Sequence, residues 1–507
     1  MIVSFVFTMD PIHENLSQTW VFYKAISFAL KNHGAVIAQE HYFNGWDKQK
    51  KLFPQFFRED MCEMFEYDVP DNSAVQAIEK ISIPKEIEER YILKYGNPSD
   101  AYMATFTQDW PELEEFLCLK LNELIEKSNQ KIEAITSLTY LKFLDNISHK
   151  LNIPILYYEW GPFHYPIYRN TAYIDINGRY KDVASLYNLF KNDPDTRDLP
   201  VIKRKDLLAL LLKKDYIKYR DLDENNFDIY DKYEIGIAAG YNSLTETSSH
   251  THLNMLDLYY LSSQVFDTDE IAVRYHPGDP LHAKMKVKNE LEGGLVEFIL
   301  SCKRVAAISS NVEVEAMMYG KTVYDIGKFK YKGFVNNNII KLEDKQVNDE
   351  ILNFIVFIIL VPFELLNSAE YLRFRITNPS WRELYLYHMQ YYFKCLDIPF
   401  SEDPAYDFSK EIVQYINIQK YKNKLEIAEA KIKSVQEEIQ TVNELLDRTR
   451  YENEKQKSQI EEQREEIDNI KSRYDQLIHS KSMKLVKPLQ NIMWKTKQIK
   501  ALFKSKD

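Results

Sequence analysis

Through about residue 410, apolar residues gather into short, nearly unbroken runs, separated by stretches with helical spacing. Residues 2–7, 35–38, 134–136, 153–158, 235–239, 271–275, 305–308 and 322–326 read as strands. Continuous apolar runs of this length are expected of parallel strands covered on both faces. Between them, residues 138–151 and 312–319 repeat apolar side chains at three- and four-residue intervals, the period of a helix. Strands alternating with helices predict doubly wound α/β units. The length predicts two of them, with the polar stretch 191–205 as the hinge. The most apolar stretch, 351–363, falls well short of the roughly 20 residues of a spanning helix and reads as a core helix.

The pattern changes after residue 410. With Leu425 as position a of a heptad, the a positions are Leu425, Ile432, Ile439, Leu446, Asn453, Ile460, Ile467 and Tyr474. The d positions are Ala428, Val435, Val442, Thr449, Gln456, Gln463, Ile470 and Leu477. Charged residues flank this seam, so 411–480 reads as a coiled coil, and the a-position Asn453 favours a parallel two-stranded register. A lone solvated helix is the alternative. Residues 481–507 carry eight Lys and one acid, Asp507, with Leu489, Ile492, Met493 and Trp494 between the lysines. That composition suits an amphipathic helix lying on anionic lipid; a cationic tail docked on an acidic body is the alternative.

Composition narrows the partners. The net charge of −11 over 507 residues argues against a nucleic-acid binder, since most of the surface would repel phosphate. Cys62, Cys118, Cys302 and Cys395 lie far apart with no CxxC spacing, as in a reducing cytoplasm. The N-terminus has no basic n-region and reads as a first buried strand rather than a signal peptide. The expected location is therefore cytoplasmic, peripherally bound to the inner membrane through 481–507.

The strongest local chemistry lies at residues 305–329. A buried strand ends at Ile308, a helix is predicted from Ser310, and Glu313 three residues on completes a capping box. Gly320 closes that helix before the next strand. A helix N-terminus at the carboxyl end of a parallel sheet offers amides and hydroxyls to a phosphate. Glu315, one turn in, is placed to accept from a ribose. An ordinary βαβ unit with a serine cap has the same spacing.

This segment resembles the "(T)SS-V-x-FEAL-xx-GKPV" signature of the bacterial capsule and lipopolysaccharide Kdo-transferase families. Upstream, Ile271-Ala-Val-Arg-Tyr-His276-Pro-Gly-Asp is similar to their "K-x-HP" strand end. Further upstream, the block from Ile153 through Glu159-Trp-Gly-Pro and Thr171-Ala-Tyr-Ile-Asp175 to Gly178 is similar to their "E-x-GP…T-x-Y-x-D-x-G". The three motifs occur in the family's order and span, with their connections, about residues 1–400. Ser482-Met-Lys-Leu-Val-Lys-Pro-Leu489 also looks like the tail that follows coiled coils in O-antigen glycosyltransferases.

The resemblance implies an α/β chain of GT-B type, with two Rossmann-like domains facing a cleft and a C-terminal α-helical coiled coil. The expected boundaries are 1–195 for the acceptor side, 196–410 for the nucleotide-sugar side, 411–480 and 481–507. It further implies a metal-independent glycosyltransferase moving Kdo from CMP-Kdo to a surface polysaccharide or lipopolysaccharide, on a glycan or lipid-linked glycan acceptor. Ser309, Ser310, Asn311 and Arg274 would hold the nucleotide phosphate, with Glu315 near the ribose. His276 would touch the phosphate, or else be a satisfied histidine before a turn proline. Glu159 would act as acid/base or substrate ligand, or else be a salt-bridged or capping carboxylate.

The sequence departs from that pattern at two places. Asn242 falls where the retaining members carry an Asp proposed as nucleophile, and an amide cannot serve as one. Glu246 or Glu159 then substitutes, or the mechanism, the register or the donor differs. His164 stands after Phe163 where the family has an arginine after "GP". A UDP- or GDP-sugar transferase and a catalytically silent scaffold of the same fold are the competing readings.

Overall fold

The computed structural model describes all residues except 10–18, 45–50, 52–53, 139, 177–181, 222–229, 240–252, 277–285, 328–329, 404–405 and 505–507. It comprises two units, Met1–Ile418 and Gln419–Asp507.

Two sheets organise the first unit. One holds β1 (Ile2–Val6), β2 (Ala35–Gln39), β3 (Glu79–Ile83), β4 (Ala134–Ser137), β5 (Ile155–Trp160) and β6 (Thr171–Ile176). The other holds β7 (Tyr233–Ala239), β8 (Ile271–Tyr275), β9 (Cys302–Ala307) and β10 (Thr322–Asp325). A last strand, β11 (Leu360–Pro362), returns to the first sheet, whose order is β11-β6-β5-β4-β1-β2-β3; the second runs β10-β9-β7-β8. Neighbours from β3 to β5 are parallel, whereas β6 and β11 pair antiparallel at one edge. Every pair in the second sheet is parallel.

Alternation along the strands explains why both sheets are covered on both faces. In β1, Ile2 and Val6 point into one core, while Val3 and Phe5 point into another. In the second sheet, Ile235, Ile237 and Ala306 line one face; Ala238, Val305 and Ala307 line the opposite one. Two parallel α/β halves of this kind are the GT-B layout expected from the sequence.

Two sequence expectations change. The helix predicted from Ser310 spans Val312–Met318, because Ser309 adopts a left-handed φ of 49° and Ser310 is drawn into the turn before it. Residues 351–363 are not one core helix. They divide into the helix Asp349–Phe354, a π turn at Ile355–Ile359 and β11, whose Leu360 pairs with Tyr173 of β6. The segment is buried nearly throughout, so periodicity could not separate helix from strand, and Pro362 lacks the N–H a further helical turn would need.

The helix Phe408–His479 begins in the first unit and carries the heptads in the second, where the helix Lys481–Lys504 carries the lysines. The apolar a and d residues from Leu425 to Leu477 stand exposed along the single chain. Among the described residues, no helix is long and apolar enough to cross a membrane.

Gly236 in β7 shows how tightly the second sheet is packed. A Cβ there would lie 2.5 Å from Cys302 Sγ and 2.9 Å from Phe298 Cζ. Gly236→Ala is expected to destabilise the first unit by about 1–3 kcal/mol, the usual cost of overpacking. Cys302→Ala should recover part of that loss in the double variant, a coupling that denaturant titration of all four proteins measures. Additive losses would show that the clash is relieved elsewhere.

Candidate functional site

The site is built where the carboxyl ends of β5 and β9 meet. The first side depends on how β5 ends. After Glu159 and Trp160 the chain turns at Gly161, where a Cβ would lie 2.3 Å from Thr171 Oγ1, so only glycine fits. Thr171 fixes this turn from β6. Its carbonyl accepts from Gly161 N (2.8 Å), its N–H donates to Phe163 O (2.8 Å), and its hydroxyl donates to Phe163 O (3.0 Å). Trp160 is held in turn by stacking on Phe363, with centroids 4.4 Å apart. The glycine and threonine of the upstream motif therefore set the strand end that presents Glu159.

The second side is the turn from Ser309 to Asn311. Asp325, fully buried at the end of β10, accepts through Oδ1 from Ser309 N (3.0 Å) and from Gly327 N (2.8 Å). Gly327 is required because a Cβ there would come within 2.2 Å of Ser309 Oγ. Glu313 Oε1 accepts from Ser310 N (3.1 Å), which is one half of the expected capping box. The other half differs, since Ser310 Oγ receives Val312 N at 3.4 Å rather than the N–H of Glu313.

These bonds correct one expectation. The N–H groups of Ser309 and Ser310 are committed to carboxyl groups, so a phosphate at this turn would meet hydroxyls and the Asn311 amide instead. Glu313 is itself fully buried, and its Oε2 has no donor. Burial first, and the facing Asp325 second, hold its pKa well above the usual carboxylate range. A carboxyl so placed keeps its proton to a higher pH than one in water.

Asn311 joins the two sides. Its Nδ2 donates to Trp160 O (3.3 Å), and its Oδ1 accepts from Tyr173 OH (3.1 Å). Tyr331 OH donates onward to Tyr173 OH at 3.3 Å. Lys330 Nζ lies 3.1 Å from Glu159 Oε2 and 3.4 Å above the Tyr173 ring.

The other predicted residues are less closely gathered. Glu315 is buried, and desolvation pushes its pKa up to about 8 against the opposing influence of the Tyr168 hydroxyl and Arg274. A ribose reaches that carboxyl only if this cluster opens. Arg274 donates to Gly293 O (3.3 Å), and burial lowers its pKa. His276 is exposed just past the end of β8. Asn242 and Glu246 lie outside the described residues.

Sequence reasoning gave no role to Asp325, Lys330, Tyr331 or Tyr173. A signal existed for Asp325 and Gly327, an acid and a glycine closing a parallel strand, where such folds place their sites. Tyr173 sat inside a quoted motif. Lys330 had no signal, because its partner lies on the other sheet.

Two α/β sheets, the second wholly parallel and the first parallel from β3 to β5, with their strand ends joined, make the GT-B layout. Residues 13–182 match the family model for the glycosyltransferase 99 family N-terminal domain. None of the curated proteins compared matches the chain. Among solved structures, the chain is similar to Thermosulfurimonas dismutans KpsC, beta Kdo 2,7 transferase, at 16% identity and a TM-score of 0.33. That match covers 51% of this chain and 89% of the other. The beta Kdo 2,4 transferase of the same KpsC is similar at 16% identity and a TM-score of 0.31, covering 45% and 81%. Methanocaldococcus jannaschii UDP-GlcNAc 2-epimerase is similar at 12% identity and a TM-score of 0.29, covering 70% and 98%.

The buried carboxyl pair has a measurable consequence. Folded Glu313 keeps a proton that the unfolded chain releases near pH 4.3, so its contribution to stability is full below that pH and is lost as pH rises toward the folded pKa. Glu313→Gln mimics the protonated acid, accepting from Ser310 N and donating to Asp325. The variant should gain on wild type between pH 5 and 8, by at most about 1.4 kcal/mol per pH unit. Urea unfolding at several pH values measures this, and a difference that does not change with pH would contradict the raised pKa of Glu313.

Proposed function

We propose that this chain transfers a sugar from a nucleotide donor, Kdo from CMP-Kdo in the leading reading, onto a hydroxyl of a bacterial surface polysaccharide or lipopolysaccharide. The single observation that carries the reading is Asn311, which belongs to the strand-end turn of one sheet and bonds the strand that presents Glu159 on the other. In the transfer, the acceptor oxygen bonds to the anomeric carbon as the carbon–oxygen bond to the phosphate breaks. The nucleotide leaves with that electron pair, and Glu159 takes the hydroxyl proton. The departing phosphate is met by the Ser310 hydroxyl and the Asn311 amide, with Arg274 and His276 supplied from β8 of the same sheet. Such a donor already carries a good leaving group, so positioning and charge stabilisation are the main tasks.

A specific observation favours a second reading, the catalytically silent scaffold. The amides of Ser309 and Ser310 are already satisfied from within, which reduces what the turn offers a phosphate. Thermal shift with CMP, UMP, UDP and GDP separates the readings. At about a hundredfold excess over Kd a nucleotide adds roughly 2.7 kcal/mol, enough to raise Tm measurably. Selective stabilisation by CMP supports the CMP-sugar reading, selective stabilisation by UDP or GDP replaces the donor, and no response from any of the four supports the scaffold.

For the second unit, the reading is a cytoplasmic protein held peripherally on the inner membrane as a parallel homodimer. The exposed a and d stripe supports pairing, since a lone helix of 72 residues would leave it in water. The lysines beside Trp494 support binding to anionic lipid. Removing residues 481–507 should abolish co-sedimentation with phosphatidylglycerol vesicles and leave a dimer by light scattering. A monomer refutes the pairing, and unchanged sedimentation refutes the anchor.

A further inference from the structure

We propose that Lys330 is a positioning residue that holds Glu159 for its part in transfer, an inference that rests on the reading of Glu159 given above. Glu159 and Tyr173 are cross-strand partners in β5 and β6, so their side chains stand on the same face of the sheet. Lys330 uses both. Its Nζ lies over the Tyr173 ring at 3.4 Å and bonds Glu159 Oε2 at 3.1 Å. An exposed pair of this kind would be worth little. Here the lysine side chain is only 11% exposed, whereas the carboxylate remains 42% exposed.

The lysine's backbone is fixed as well. Its carbonyl accepts from Val183 N at 3.1 Å, and the next residue, Tyr331, is fully buried with its hydroxyl on Tyr173. Oε2 is therefore anchored by a cation that has little room to move, while Oε1 makes no hydrogen bond among the described residues and is left to receive a proton. The segment that supplies Lys330 follows Asp325 and Gly327, the residues that clamp the Ser309 turn. One stretch of chain thus holds the proton acceptor and shapes the turn opposite it.

The test uses the full-length chain and CMP-Kdo, following CMP release with water as acceptor in wild type, E159Q, K330M, K330R and E159Q/K330M. Loss of Glu159 should slow turnover by about 10²–10⁴-fold, the usual range for a proton-transfer group. K330M should lower kcat about tenfold or more, with KM for the donor within about twofold, and K330R should restore most of the rate. In the E159Q background, K330M should cost less than about twofold, because its target is already gone. If K330M costs the same factor in both backgrounds, or leaves kcat unchanged while E159Q is impaired, Lys330 does not act through Glu159 and the inference fails alone. If wild type releases no CMP, or E159Q turns over like wild type, the proposed function fails and takes the inference with it.

Discussion

The arrangement of the candidate site depends on one buried carboxylate. Asp325 accepts from the N–H groups of Ser309 and Gly327, and so ties the turn after β9 to the turn after β10. Left-handed backbone at a non-glycine residue costs roughly 1–2 kcal/mol, and Ser309 adopts it at a φ of 49°. Bonds from a buried acceptor to backbone N–H groups are strong enough to offset such a cost. Without Asp325, the Ser309 N–H would be left unpaired and the turn would relax. Asn311 would then lose its reach to Trp160 and Tyr173.

That solution has an electrostatic consequence. Two carboxyl groups packed behind the turn from Ser309 to Asn311 would repel an anion there if both were ionised. Burial and the facing Asp325 work against this by raising the Glu313 pKa, which favours the neutral form of Glu313. The same desolvation raises Glu315 to about 8, and Arg274 stands close enough to oppose that shift. Near neutral pH the acids around the helix Val312–Met318 are thus largely neutral or countered. The chain as a whole is acidic, but this turn is not correspondingly hostile to an anion.

Fold class was legible because the parallel strands are buried on both faces and read as unbroken apolar runs. Ile271–Tyr275 matched its predicted span, and the other predicted strands shifted by no more than a few residues at either end. β3 was missed because it is an edge strand whose Glu79 and Lys80 are half-exposed. β6 was missed because it pairs antiparallel and ends in half-exposed residues, Asp175 and Ile176, which break the apolar run. β11 was concealed within an apolar stretch that carries no period. The site divided in the same way. Ser309, Asn311 and Glu159 lie at strand ends and could be named from sequence, whereas the bonds joining them depend on which strand lies beside which.

The motif residues divide by task, and this bears on what the resemblance can carry. Gly161 and Thr171 shape the end of β5, and no reacting group is needed to explain them. Gly327 and Asp325 do the same for the turn at Ser309. A chain that kept only these residues would keep the strand ends and could lose any chemistry there, so the glycines and Thr171 report on architecture. Glu159 is different in that its carboxylate is left 42% exposed while the lysine it bonds is nearly buried. Lys321 and Asp231 pair with a similar asymmetry, 4% against 32%, so exposure alone does not mark a functional pair. What sets Glu159 apart is its place, since it ends β5 next to Trp160, whose carbonyl accepts from Asn311 of the other sheet, so an accessible acid on a constrained lysine stands where the two strand ends join.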